Sequence, residues 1–390
     1  MLMSIALILL VGILTDFISK KLKIPSLIGF ILTGILLGPA VFNLLDANFL
    51  TLSADLRKII LVIILTRAGL ALDLKDLKKV GRPAVLLSFV PATFEIIGTM
   101  IFAPIFLGLS LLESALLGAI LGAVSPAIVV PRMVTLIQEK RGTKKGIPQL
   151  ILAGASVDDI YALVLFSSFL TLVQSGEFQM LSLLKIPVSI FSGLLVGLTG
   201  GYLLAKLFEK IRFSSMVQFL ILFSLSLSLV HLEAVLTWLP FSGILAVMAM
   251  AIMLYRQMPT DSDKIAHFYH QLWVPGEMFL FILVGASVNI AFAFAAGFLP
   301  LLVILGALLI RMIGVWVSLI GTNLSFKDKL FCLIAYSPKA TVQAAIGGVP
   351  FALGLASGEL MLTLSVLAIL ITAPLGAFGM DFSYNKLLEK

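Results

Sequence analysis

Charge is what this sequence has least of. Asp, Glu, Lys and Arg make up 12% of its 390 residues while 60% are hydrophobic, whereas soluble domains run near about 25% charged. A soluble globular protein is therefore excluded, and no polar stretch is long enough to fold as a separate soluble domain. Cysteine is nearly absent: Cys332 is the single one, which excludes an intramolecular disulfide framework and a cysteine-based metal site. The three histidines, His231, His267 and His270, are expected at span ends or in the loop before the tenth span, as solvated groups. A net charge of +7 would suggest nucleic acid in a soluble protein. In a membrane chain the excess of Lys and Arg in cytoplasmic loops accounts for it, so no nucleic-acid partner is expected.

What is abundant is apolar sequence in blocks of bilayer length. A transmembrane helix needs about 20 mostly apolar residues. Thirteen such spans are read near 2–19, 25–44, 55–73, 83–107, 111–137, 147–174, 183–205, 214–232, 238–255, 272–290, 298–322, 330–353 and 360–380. The first lacks a basic leader region and a small-residue cleavage site, so it is expected as a retained helix. Connections after odd-numbered spans, with the C-terminal tail, carry 20 of the 27 Lys and Arg; the other side carries Arg57, Lys58 and Lys185. This asymmetry predicts an outer N-terminus and a cytoplasmic C-terminus, in an integral protein of the cell membrane, the inner one of a prokaryotic cell.

Several features recur at an offset of about 215 residues. The segment "KIPSLIG" around Pro25 is echoed by "WLPFSGI" around Pro240, "TRAGLALDL" around Gly69 by "LVGASVNI" around Gly285, and Ser125-Pro126 by Ser337-Pro338; Glu95 falls opposite Arg311. The offset equals seven spans. Because seven is odd, the second copy crosses in the opposite direction, giving the inverted-topology repeat of many secondary transporters. Proline removes a backbone donor and biases the preceding residue away from helix. Pro126 and Pro131 are expected to interrupt the fifth span and Pro338 the twelfth, where only protein or a wet cavity can satisfy the freed groups.

Five ionisable residues lie deep within spans: Glu95, Asp158, Asp159, Arg311 and Lys339. A lone charge there costs roughly 2.5–3.5 kcal/mol or more, so pairing is expected, with a Glu95–Arg311 salt bridge as the leading reading. Asp158 and Asp159 project about 100° apart on a helix. One can line an ion path while the other turns to a neighbouring cation, Arg311 or Lys339. Carboxylates under such opposing influences can exchange a proton near neutral pH. Ser125, Ser156, Thr341 and Gln343 can add neutral oxygens, and Ser156, three residues before Asp159, shares its helix face. Arg67, Arg132 and Glu277 are weaker candidates.

The segments "GAVSPAIVVPRM", "KKGIPQLILAGASVDDIYAL" and "YSPKATVQAAIGG" resemble, in order and spacing, the signatures of the cation–proton antiporter superfamily (CPA2-like), and of its NHA-type sodium/proton antiporters in particular. The likeness runs over essentially the whole chain. It implies an all-α polytopic membrane protein of about 13 transmembrane helices, with two crossing discontinuous helices, the NhaA-like antiporter fold. It also implies a homodimer. Each protomer would have a core of residues 81–176 and 297–390, a dimerisation domain of 1–80 and 213–296, and a linker helix of 177–212. Asp159 would be the main Na⁺ or Li⁺ ligand and proton carrier, with Asp158 assisting, and no cofactor would be needed. Arg311 falls where many electrogenic relatives have lysine, and Glu95 would be its partner, which leaves the stoichiometry open. A K⁺/H⁺ exchanger or K⁺ efflux system on the same scaffold is the nearest alternative; many carry a nucleotide-binding domain after the last span, and this sequence ends about ten residues beyond it. An intramembrane aspartyl protease is remote, since adjacent aspartates on one helix cannot form its dyad.

Overall fold

The structure, a computed structural model, describes residues 1–22, 24–71, 81–175, 180–235 and 241–389. Every regular element among them is a helix. In chain order the principal ones are α1 (Leu2–Lys21), α2 (Ser26–Leu37), α3 (Ser53–Ala71), α4 (Val90–Leu107) and α5 (Leu111–Leu121). Then come α6 (Pro126–Gln138), α7 (Ile147–Ser175), α8 (Met180–Lys210), α9 (Ser215–Val235) and α10 (Gly243–Gln257). The last are α11 (Pro259–Ala286), α12 (Leu299–Ser318), α13 (Phe326–Ala335), α14 (Thr341–Ile346) and α15 (Gly358–Leu387). Among the described residues 8 helical stretches are long and apolar enough to cross a membrane, and shorter apolar helices cover Ser26–Leu37, Gly243–Gln257 and Thr341–Ala352.

Local sequence explains where helices start and stop. Gly108 closes α4 in the left-handed conformation at φ 66°, a backbone state that costs glycine least. Ser110 and Glu113 form a capping box at the start of α5, and Ser325 and Asp328 form another at the start of α13. These two boxes occupy corresponding positions in the repeat. Each satisfies amide groups that a helix start leaves open.

Two expectations change here. Pro131 does not interrupt the fifth span: α6 runs through it, and the break is confined to residues 122–125, just ahead of Pro126. The loop assigned to His267 and His270 is helical, because α11 begins at Pro259.

The chain divides into two compact units, Met1–Ala54 with Leu74–Phe169 and Met278–Lys390, and Asp55–Asp73 with Leu170–Glu277. In the second unit α8 packs along α10, and the Arg67 guanidinium lies 5.8 Å from the Trp273 ring centroid. In the first unit the leading helix pair is α4 with α12, and its contact is internally symmetric. An added Cβ at Gly98 would sit 3.0 Å from Ala307 Cα, and one at Gly314 would sit 3.0 Å from Pro91 Cα. Small residues at both crossing points let the backbones approach closely. That approach places Glu95 and Arg311, 216 residues apart, face to face.

Candidate functional site

Four helices, α4, α5, α7 and α12, and two chain breaks converge on the buried charges, at residues that all belong to the first unit. Glu95 on α4, Asp158 on α7 and Arg311 on α12 have no exposed surface, Lys339 in the second break is 1% exposed and Asp159 is 7% exposed. Arg311 is the hub. Its Nη1 donates to Glu95 Oε2 at 2.9 Å, its Nη2 to Asp158 Oδ2 at 2.9 Å and its Nε to the Tyr336 carbonyl at 3.0 Å; Nη1 also donates to the Gly122 carbonyl. Lys339 Nζ stands 2.6 Å from Glu95 Oε1 and donates to Glu95 Oε2 at 2.7 Å. Two carboxylates and two cations thus neutralise each other, the arrangement that makes burial tolerable.

The same cations finish a helix. The α5 helix ends at Leu121 inside the protein, leaving carbonyls with no intrahelical donor. Gln343 Nε2 donates to the carbonyls of Ile120, Leu121 and Ala123 at 3.2, 3.3 and 2.9 Å. Lys339 donates to the Leu121 carbonyl and Arg311 to that of Gly122. Positive groups at a helix C-terminus also meet the favourable end of its dipole.

The two breaks bond to each other: the Ser125 N–H donates to the Pro338 carbonyl at 2.8 Å. Pro126 opens α6 and removes a donor that a first-turn position does not need. Thr341 opens α14 and is buried. On the first break the Val124 N–H donates to Asp158 Oδ2 at 2.8 Å. Ser125 corresponds to Ser337 in the repeat, so Val124 corresponds to Tyr336. The two breaks therefore grip opposite members of one ion pair, Val124 with an amide on Asp158 and Tyr336 with a carbonyl on Arg311.

Asp159 stands outside this network. Its Oδ1 makes no hydrogen bond among the described residues, and the same holds for Asp158 Oδ1, Ser125 Oγ and Gln343 Oε1. These buried oxygens are hard ligands of the kind small cations take, beside the unwound backbone of a discontinuous helix. The side chain of Ser156 lies outside the described residues.

Sequence reasoning overlooked Tyr336 and Thr372. Tyr336 supplies a carbonyl, and its ring centroid lies 5.8 Å from the Arg311 guanidinium. The Thr372 hydroxyl accepts the Lys339 N–H at 3.0 Å. Neither residue is charged, so no burial penalty flagged them; their position beside or opposite the Ser337-Pro338 break was the available signal. Arg132 lies away from the cluster in a bidentate pair with Asp381, 2.8 Å to each oxygen. Lys145, between α6 and α7, donates to Asp328 Oδ2 at 2.8 Å. Burial opposes ionisation of Asp328, but hydrogen bonds from Lys145 and Ser325 outweigh it and hold its carboxyl below the usual range.

An inverted repeat whose broken helices meet beside buried, balanced charges defines a secondary transporter of the membrane. Its family is shown by comparison: the chain belongs to the sodium/hydrogen exchanger family, whose transmembrane model matches residues 5–381, within the superfamily that its motifs resemble. It is 34% identical over 393 residues to sodium/hydrogen exchanger 9B2 of Xenopus tropicalis, covering 95% of this chain and 71% of that protein. It is 30% identical over 394 residues to sodium/hydrogen exchanger 9B1 of Homo sapiens, covering 94% and 73%. The fold is that of the sodium proton antiporter MjNhaP1 from Methanocaldococcus jannaschii, with a TM-score of 0.85 at 24% identity, covering 98% of this chain and 97% of that one.

Proposed function

We propose that this protein exchanges Na⁺ or Li⁺ for H⁺ by alternating access, with cation and proton competing for Asp159. One observation carries the assignment of the site: Asp159 is the buried carboxylate left over when Glu95 and Asp158 are balanced by Arg311 and Lys339. An uncompensated carboxylate at this depth is costly. A proton or a monovalent cation removes the charge, and only the neutralised site crosses the low-dielectric barrier at low cost. Release of one and capture of the other on each side gives obligatory exchange. Because Asp158 stays paired, the balance favours one proton for one cation, without net charge movement.

In this reading residues 81–176 and 297–390 form the core that carries the ion. Residues 1–80 and 213–296 form the dimerisation side of a homodimer, and 177–212 join them. The compact unit that holds the charges does not coincide with that core: it also takes in Met1–Ala54 and the residues from Met278, and it ends at Phe169. The distribution of Lys and Arg supports an outer N-terminus and a cytoplasmic C-terminus. The names of the relatives, sodium/hydrogen exchangers, favour Na⁺ over K⁺. Reconstituted vesicles test this: a Na⁺ or Li⁺ gradient should drive proton movement, and an equal K⁺ gradient should not. Proton movement driven by K⁺ alone would replace this reading with K⁺/H⁺ exchange.

A further inference from the structure

Tyr336 is the last residue before the Ser337-Pro338 break and has no exposed surface. Two of its features bear on one neighbour, and a third is a polar group left without a partner. Its carbonyl accepts Arg311 Nε at 3.0 Å, its ring lies within cation–π range of the guanidinium at 5.8 Å, and its hydroxyl makes no hydrogen bond among the described residues. That hydroxyl lies against Gly154 of α7, where an added Cβ would collide with it. Gly154 is one helical turn before Asp158, on the same face. The tyrosine is therefore wedged between the helix that carries Asp158 and the guanidinium that binds it. Its counterpart in the first repeat is Val124, which offers no such ring, so the device exists on one side of the repeat only.

We propose that Tyr336 is a positioning residue of the exchange site: its ring holds the Arg311 fork in the plane that meets Asp158, which keeps Asp158 paired and leaves Asp159 to exchange alone. This rests on the one-for-one exchange described above. The charged groups facing Arg311 are Glu95 from α4 and Asp158 from α7, with Lys339 sharing Glu95. A guanidinium that tilts keeps Glu95, its partner on the closely packed α4, and loses Asp158. Asp158 then takes up and releases a proton of its own.

The test is net charge movement in reconstituted vesicles under a Na⁺ gradient, recorded on solid-supported membranes beside a proton-sensitive dye. The wild type should move protons with no net current. Tyr336→Leu should gain a current approaching one charge per Na⁺, and Tyr336→Phe, which keeps the ring, should return to the wild-type ratio. A transport-active Tyr336→Leu without net current would overturn the proposal. Should that variant not yield folded protein, Gly154→Ala displaces the ring while keeping every atom of Tyr336, and the same current is expected; active Gly154→Ala without current overturns it equally. Wild-type protein that moves no protons under Na⁺ would instead refute the exchange reading, which separates the two failures.

Discussion

Arg311 Nη2 lies 2.9 Å from Asp158 Oδ2, and neither side chain has any exposed surface. This contact distinguishes two aspartates that are adjacent on one helix. Asp158 is held by a guanidinium and a backbone amide, while Asp159 has an oxygen without a partner among the described residues. In the proposed exchange the first carboxylate stays paired and the second binds the proton or the cation.

Arg311→Lys should be severely destabilising although it keeps the charge. One ammonium cannot reach Glu95, Asp158 and the carbonyls of Gly122 and Tyr336 together, because it lacks the planar fork. Removing a partner from a buried ion pair costs about 3–5 kcal/mol. The melting temperature of detergent-solubilised protein should fall clearly; a wild-type melting temperature would contradict the hub role.

The crossing of α4 and α12 predicts a matched pair of effects. Gly98→Ala and Gly314→Ala each force a methyl group against backbone or a Cβ of the facing helix. Overpacking of this kind costs about 1–3 kcal/mol. Both variants should lower thermal stability by comparable amounts. A loss at one site with none at the other would show that the symmetry of the contact is not energetic.

The Lys145–Asp328 pair gives a pH prediction. Asp328 titrates below its ordinary range in the folded protein, so its contribution is present above the unfolded value and lost as pH falls through the folded one. Lys145 is raised by its hydrogen bond to Asp328, so its contribution is complete below the unfolded value and lost as pH rises through the folded one. Lys145→Gln should therefore destabilise by a nearly constant amount between roughly pH 5 and 9. The difference from wild type should shrink toward both extremes. Melting curves across pH check this, and a difference that peaks at either extreme would contradict it.

Much of this arrangement was legible in the sequence, because a charge in a long apolar run is a strong signal and repeats at a fixed offset show themselves. The two breaks and the facing of Glu95 and Arg311 both followed from that. The partner of Lys339 did not. It pairs with Glu95, 244 residues away, and nothing local distinguishes that choice from the aspartates. Pro131 misled for the opposite reason: a proline in a helix is a local signal that α6 overrides, since Pro126 and the residues before it already supply the break. Tyr336 and Thr372 act through a carbonyl, a ring and a hydroxyl, which leave no trace in charge or hydropathy.

One measurement decides whether Asp159 alone carries the exchanged ion, as proposed. Na⁺ uptake, proton efflux and net charge are recorded together in vesicles holding wild-type, Asp158→Asn or Asp159→Asn protein. The wild type should move one proton per Na⁺ with no net charge, Asp158→Asn should show slowed but still Na⁺-coupled proton movement, and Asp159→Asn should show none. Coupled exchange by Asp159→Asn would contradict the proposal.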